Sequence, residues 1–76
     1  MIHQGGYYLH YKNKLSRAVG VAKHSETLEE MVVYEPQYGE GGLWVRPLDM
    51  FLENVIVEGK EVPRFRYVGM EKPEGY

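Results

Sequence analysis

The sequence predicts a mainly β domain: a small SH3-like barrel or roll of five to seven short strands, with one short helical or 3₁₀ turn near residues 47–52. Its β-branched and aromatic residues come in short runs, the signature of strands rather than long helices. Nine glycines and four prolines in 76 residues cut those runs apart. Many short strands joined by tight turns must protect their edges, and closing the sheet is one way to do so.

Tyr7 to Tyr11 is the first strand, ended by Lys12-Asn13-Lys14, where Asn tolerates the left-handed backbone that a hairpin turn needs. Leu15 to Lys23 follows, with Leu15, Arg17, Val19 and Val21 on one face and the small residues Ser16, Ala18, Gly20 and Ala22 on the other. In the first strand Tyr8 and His10 share one face, and Tyr7, Leu9 and Tyr11 the other. The row holding Leu9 is expected to face the core. His24 to Glu29 reads as a polar turn, Met31 to Tyr34 as a strand ended by Pro36, and Pro36 to Gly42 as a glycine-rich loop. Leu43 to Arg46 is a strand stopped by Pro47, an N1-type proline opening a single helical turn. Asn54 to Val57, a Glu58-Gly59 turn and Val62 to Val68 form a last hairpin, with Pro63 at an edge or bulge. Residues 1–68 therefore read as one domain, 1–5 as loose, and 69–76 as a flexible tail.

A chain this short spends most of its large apolar side chains on its core, which favours a surface binder over an enzyme with an enclosed cavity. With no cysteine there is neither a disulfide framework nor a thiolate metal site. The N-terminus lacks the basic start and apolar run of a signal peptide, and no segment is apolar for the roughly 20 residues a membrane helix needs. The expected location is cytoplasmic, with no membrane contact. Net charge is −2, yet Lys12, Lys14, Arg17 and Lys23 precede a stretch holding Glu26, Glu29, Glu30, Glu35 and Glu40. That order suits charge pairing between neighbouring strands.

The segments Gly20-Val21-Ala22-Lys23-His24-Ser25-Glu26-Thr27, Val32-Val33-Tyr34, Tyr38-Gly39, Leu43-Trp44-Val45-Arg46-Pro47, Met50-Phe51 and Val62-Pro63-Arg64-Phe65 occur in one order. In this pattern, over about residues 6–68, the chain resembles the small bacterial family catalogued as domain of unknown function 1653. The resemblance implies a compact SH3-like barrel or roll in a soluble bacterial protein, and no activity. Leu9, Asn13 and Ser16 depart from the family's usual arginine, glycine and aromatic. The loss of a basic residue at Leu9 weakens a nucleic-acid reading of the first strand.

His24-Ser25-Glu26 has the residue types of a hydrolytic triad, but sequence neighbours point to different sides of an extended chain and no nucleophile elbow surrounds Ser25. The turn explains these residues more simply, with Ser25 and Thr27 hydroxyls satisfying turn amides. His3, His10 and His24, even with Glu26, lack metal-ligand spacing, and no phosphate-cradling loop opens a long helix. No metal or cofactor is expected. Trp44 and Arg46 share a strand face, a pairing frequent at interfaces. The plainer reading makes Trp44 the main core aromatic and pairs Arg46 with a carboxylate such as Asp49 or Glu26. Tyr38, among glycines that cannot cover it, is expected to be exposed.

The leading expectation is a non-catalytic module that takes a peptide or partner protein in an aromatic and arginine groove of His24, Glu26, Tyr38, Trp44 and Arg46. An alternative is nucleic-acid binding by the basic, aromatic first hairpin through Tyr8, His10, Lys12, Lys14 and Arg17. A third is a small hydrolase or metal-dependent enzyme centred on His24.

Overall fold

The β-branched and aromatic runs become seven strands in the computed structural model of the protein, which describes residues 2–76. They are β1 (Tyr7–His10), β2 (Lys14–Lys23), β3 (Glu30–Pro36), β4 (Trp44–Pro47), β5 (Asn54–Val57), β6 (Lys60–Pro63) and β7 (Phe65–Gly69). The helix α1 (Leu48–Leu52) sits between β4 and β5. Pro47 stands at the helix N-cap, one residue before the N1 position expected for it. Turn chemistry sets the hairpins. Asn13 takes a φ of 67° between β1 and β2, while Glu58 at 50° and Gly59 at 79° give the β5–β6 turn positive φ at both central residues.

Two antiparallel sheets result, one of five strands in the order β4-β3-β2-β1-β7 and one formed by β5 and β6 alone. The expected barrel does not close. The β5–β6 hairpin, which would have to bridge the outer strands β4 and β7, pairs only with itself and leaves both edges open. The expected strand Val62 to Val68 is broken at Arg64. Pro63 ends β6 without an N–H to donate, the Arg64 amide donates to the Glu53 carbonyl, and the chain then joins β1 as β7.

Four rings build the core. Phe51 from α1 stacks on Phe65 from β7 at 4.1 Å with a 4° interplanar angle, and meets Tyr8 edge-on at 5.3 Å. Tyr34 of β3 lies 5.8 Å from both phenylalanines. Val32 and Ala18 complete the cluster. The core row of β1 is thus the one holding Tyr8, not the one holding Leu9. The reason lies in register: Tyr8 is opposite Ser16 on β2, whose small side chain leaves room for a ring, whereas Leu9 is opposite Leu15 on the other face. The small residues Ser16 and Ala18 are both buried here. Past Ala18 the register of β2 against β3 shifts, and Val21 comes opposite the fully buried Val32. The shift breaks the expected single row of Leu15, Arg17, Val19 and Val21.

The expected charge alignment of β2 and β3 is present in register, with Arg17 opposite Glu35 and Lys23 opposite Glu30. The side chains do not close into ion pairs: among the described residues the one such pair joins Arg64 to Glu53 at 2.8 Å. Arg17 instead donates from Nε to the Gly5 carbonyl and lies over the Tyr7 ring.

Phe51 is 1% exposed and is the buried residue of a five-residue helix. Removing its ring leaves α1 without an anchor. Phe51→Ala should cost about 3–5 kcal/mol, a large part of the stability of so small a domain. The measurement is the guanidinium unfolding midpoint; a shift worth under about 1 kcal/mol would show that the cluster does not hold the fold.

Candidate functional site

At the rim of the aromatic cluster is a cavity of about 190 Å³ where the β1–β2 turn, β3, the loop after β3, β4 and β7 meet. Ser16, 2% exposed, and the buried Tyr34 and Phe65 form its floor. His10, Lys12, Lys14, Tyr38 and Arg46 complete the wall, so three permanent cations and no carboxylate line it.

Aromatic faces, rather than acids, hold these cations. The Arg46 guanidinium lies 5.5 Å from the Phe65 centroid, Lys14 Nζ 5.0 Å from that of Tyr38, and Lys12 Nζ 5.9 Å from that of Tyr11. Arg46 also donates from Nη1 to the Met50 sulfur at 3.8 Å, while its Nε is buried without a partner. The carboxylate expected for it is not there, since Asp49 Oδ1 accepts the Met50 amide and Glu26 lies in a distant turn. Cation–π contacts leave positive charge uncompensated, so this wall favours an anion.

His10 stands edge-on to Phe65 at 4.9 Å and accepts the Lys12 amide on Nδ1 at 3.1 Å. Burial holds its imidazole below the ordinary histidine value, and Arg46, Arg64 and Lys12 push in the same direction. With Nδ1 accepting an amide, this geometry suits the neutral imidazole.

The structure divides the residues expected in one groove. Tyr38, 47% exposed, and Arg46 reach the cavity. Trp44 does not line it. Trp44 is 58% exposed on the edge strand, opposite Tyr34, and donates from Nε1 to the Gly41 carbonyl, so it is not the core aromatic. The phenylalanines and buried tyrosines already fill that core. His24 and Glu26 lie at the far end of the β2–β3 hairpin from Tyr38, about 20 Å along a seven-residue strand. There His24 Nδ1 accepts the Glu26 and Thr27 amides, and Thr27 Oγ1 accepts the Glu29 amide. The imidazole does the capping expected of the Ser25 hydroxyl.

The alternative set divides too. His10, Lys12 and Lys14 enter the cavity. Tyr8 is buried and its hydroxyl accepts the His3 amide, and Arg17 lines a separate depression with Glu35 and Leu43. Ser16, Tyr34 and Phe65 carried no sequence signal as site residues, because only the strand register and the β7 crossover bring them together. Among the described residues no three of His, Asp or Glu are placed to hold a metal ion, and no helix is long and apolar enough to cross a membrane. A larger cleft of about 600 Å³ runs between β1 and the β5–β6 hairpin, past Leu9, Tyr11, Val57 and Val62. We place the site in the smaller cavity, where charge converges without an opposing acid.

The model of the family described as "Protein of unknown function (DUF1653)" matches residues 6–67. The chain belongs to this family. A crystal structure of a DUF1653 protein from Bordetella bronchiseptica has the same fold, with 38% identity, a TM-score of 0.85 and 95% of each chain covered. No curated protein matches the chain.

The His10 geometry predicts a pH response. In the unfolded chain the imidazole takes a proton near pH 6.5; in the fold it resists until lower pH. The unfolded state therefore binds more protons as pH falls through 6.5, and the fold loses stability there. An NMR titration should put the His10 midpoint below 6.5, and His10→Gln should lessen the loss of stability as pH falls below about 6.5. A midpoint at or above 6.5 would contradict the burial and charge assigned to this ring.

Proposed function

We propose that this DUF1653 protein is a non-catalytic binding module that takes an anionic segment of a peptide or partner protein in the cavity edged by Tyr38 and Arg46. The observation that carries this reading is the set of three cations on the wall, each resting on an aromatic ring and none facing an acid. Peptide grooves on small β domains use rings for area and a few charges for orientation. The exposed ring of Tyr38 and the guanidinium of Arg46 supply both. The short helix α1 before the late strands keeps the likeness to SH3-like domains at the level of layout, although the sheet is open. Small size and a shallow site favour binding over chemistry.

A second reading is nucleic-acid binding, favoured by the convergence of His10, Lys12 and Lys14. The overall charge of −2 and the removal of Tyr8 and Arg17 from this surface count against it.

Selection of displayed random peptides on the immobilised protein should enrich acidic sequences. Tyr38→Ala and Arg46→Gln should each weaken the selected peptide by about ten-fold, with circular dichroism unchanged. His24→Ala, in the distant turn, should bind as the wild type does. If selected peptides ignore both cavity substitutions, or if only single-stranded DNA is retained at low salt, the peptide reading fails.

A further inference from the structure

Resting on that reading, we infer that the cavity is a receptor for a phosphomonoester dianion carried on a peptide side chain. Three features distinguish such a group from a carboxylate. The first is charge: Lys12, Lys14 and Arg46 form an excess that one carboxylate would leave largely unneutralised. The second is donor supply. Arg46 contributes planar N–H groups whose internal partners are a sulfur and a ring face, and the lysines contribute ammonium donors. Phosphate oxygens accept several such bonds at once. The third is the floor, where the hydroxyl-bearing side chains of Ser16 and Tyr34 lie beneath those cations.

Size favours a point anion over a polyanion. About 190 Å³ accommodates one phosphoryl group and the start of its stem. Beyond the cavity the charge is mixed, with Glu40 in the adjoining loop, Glu35 beside Arg17, and Glu58 with Lys60 and Arg66 in the next cleft. A nucleic-acid backbone leaving the cavity past Glu40 or Glu35 would meet a carboxylate, whereas a peptide bearing one phosphate needs only the cavity cations. His10 adds a proton-linked element. It faces Phe65, Tyr11, Lys12 and the guanidinium groups of Arg46 and Arg64, with no acid among the groups that shift it. A bound dianion reverses that field and favours the imidazolium, so binding should take up a proton.

Calorimetry with short peptides of one sequence, carrying phosphoserine, glutamate or serine at the centre, tests the inference. Inorganic phosphate and a 5′-phosphorylated oligonucleotide serve as further probes. The phosphoserine peptide should bind at least about ten-fold tighter than the glutamate form, and inorganic phosphate should compete with it while shifting the Lys14, Ser16 and His10 resonances. Arg46→Gln should weaken it by about ten-fold or more and Lys14→Met by several-fold. Lys14 lies at the exposed end of a strand, so Lys14→Met carries the test if Arg46→Gln unfolds. Equal binding of the glutamate and phosphoserine peptides overturns the phosphate assignment and leaves the peptide-binding reading standing. Preferred binding of the oligonucleotide overturns both, as does a protein indifferent to every probe.

Discussion

The stack of Phe51 on Phe65 is the contact on which this molecule depends. A domain of 76 residues has few large side chains to spend, and four rings carry most of its interior. The stack ties α1 to β7, and through Tyr8 and Tyr34 it ties both to the centre of the large sheet. Such bulk is accommodated only because β2 offers Ser16 and Ala18 on the facing row. A larger side chain at Ala18, which has no exposed surface, would have to displace a ring.

The site grows from the rim of the same cluster. Phe65 packs on Phe51 and also carries Arg46 and His10. The core aromatic thus fixes the guanidinium and the imidazole without neutralising them. Surface cations in small domains often face carboxylates, which quench their field. Here the one ion pair among the described residues is at Arg64, and the cavity cations rest on π faces instead. A protein with net charge −2 therefore keeps a locally positive cavity. Placement of charge, not its total, makes this cavity the candidate site.

Open edges at β4 and β7 are the other consequence of this topology. Each is short, and β4 ends at Pro47, which has no N–H to offer a pairing strand. Trp44 and Val45 are exposed along β4, so brevity and the proline, rather than polarity, blunt that edge.

Local sequence determined the strands and turns, because those depend on near neighbours. Asn13 and Glu58-Gly59 signalled their turns through backbone preference, Pro36 and Pro47 marked strand ends, and the glycines after Tyr38 announced its exposure. Which face of each strand is buried was not legible, since it follows from register: Tyr8 went inward because Ser16 stands opposite it. The break at Arg64, which sends β7 to β1 rather than to β5, left the barrel open and set Phe65 beside Arg46. Tyr38, Arg46, His10, Lys12 and Lys14 were each recognisable as binding residue types. That they share one cavity, while His24, Glu26 and Trp44 lie outside it, was decided by pairings between residues far apart in the chain, which no local pattern encodes.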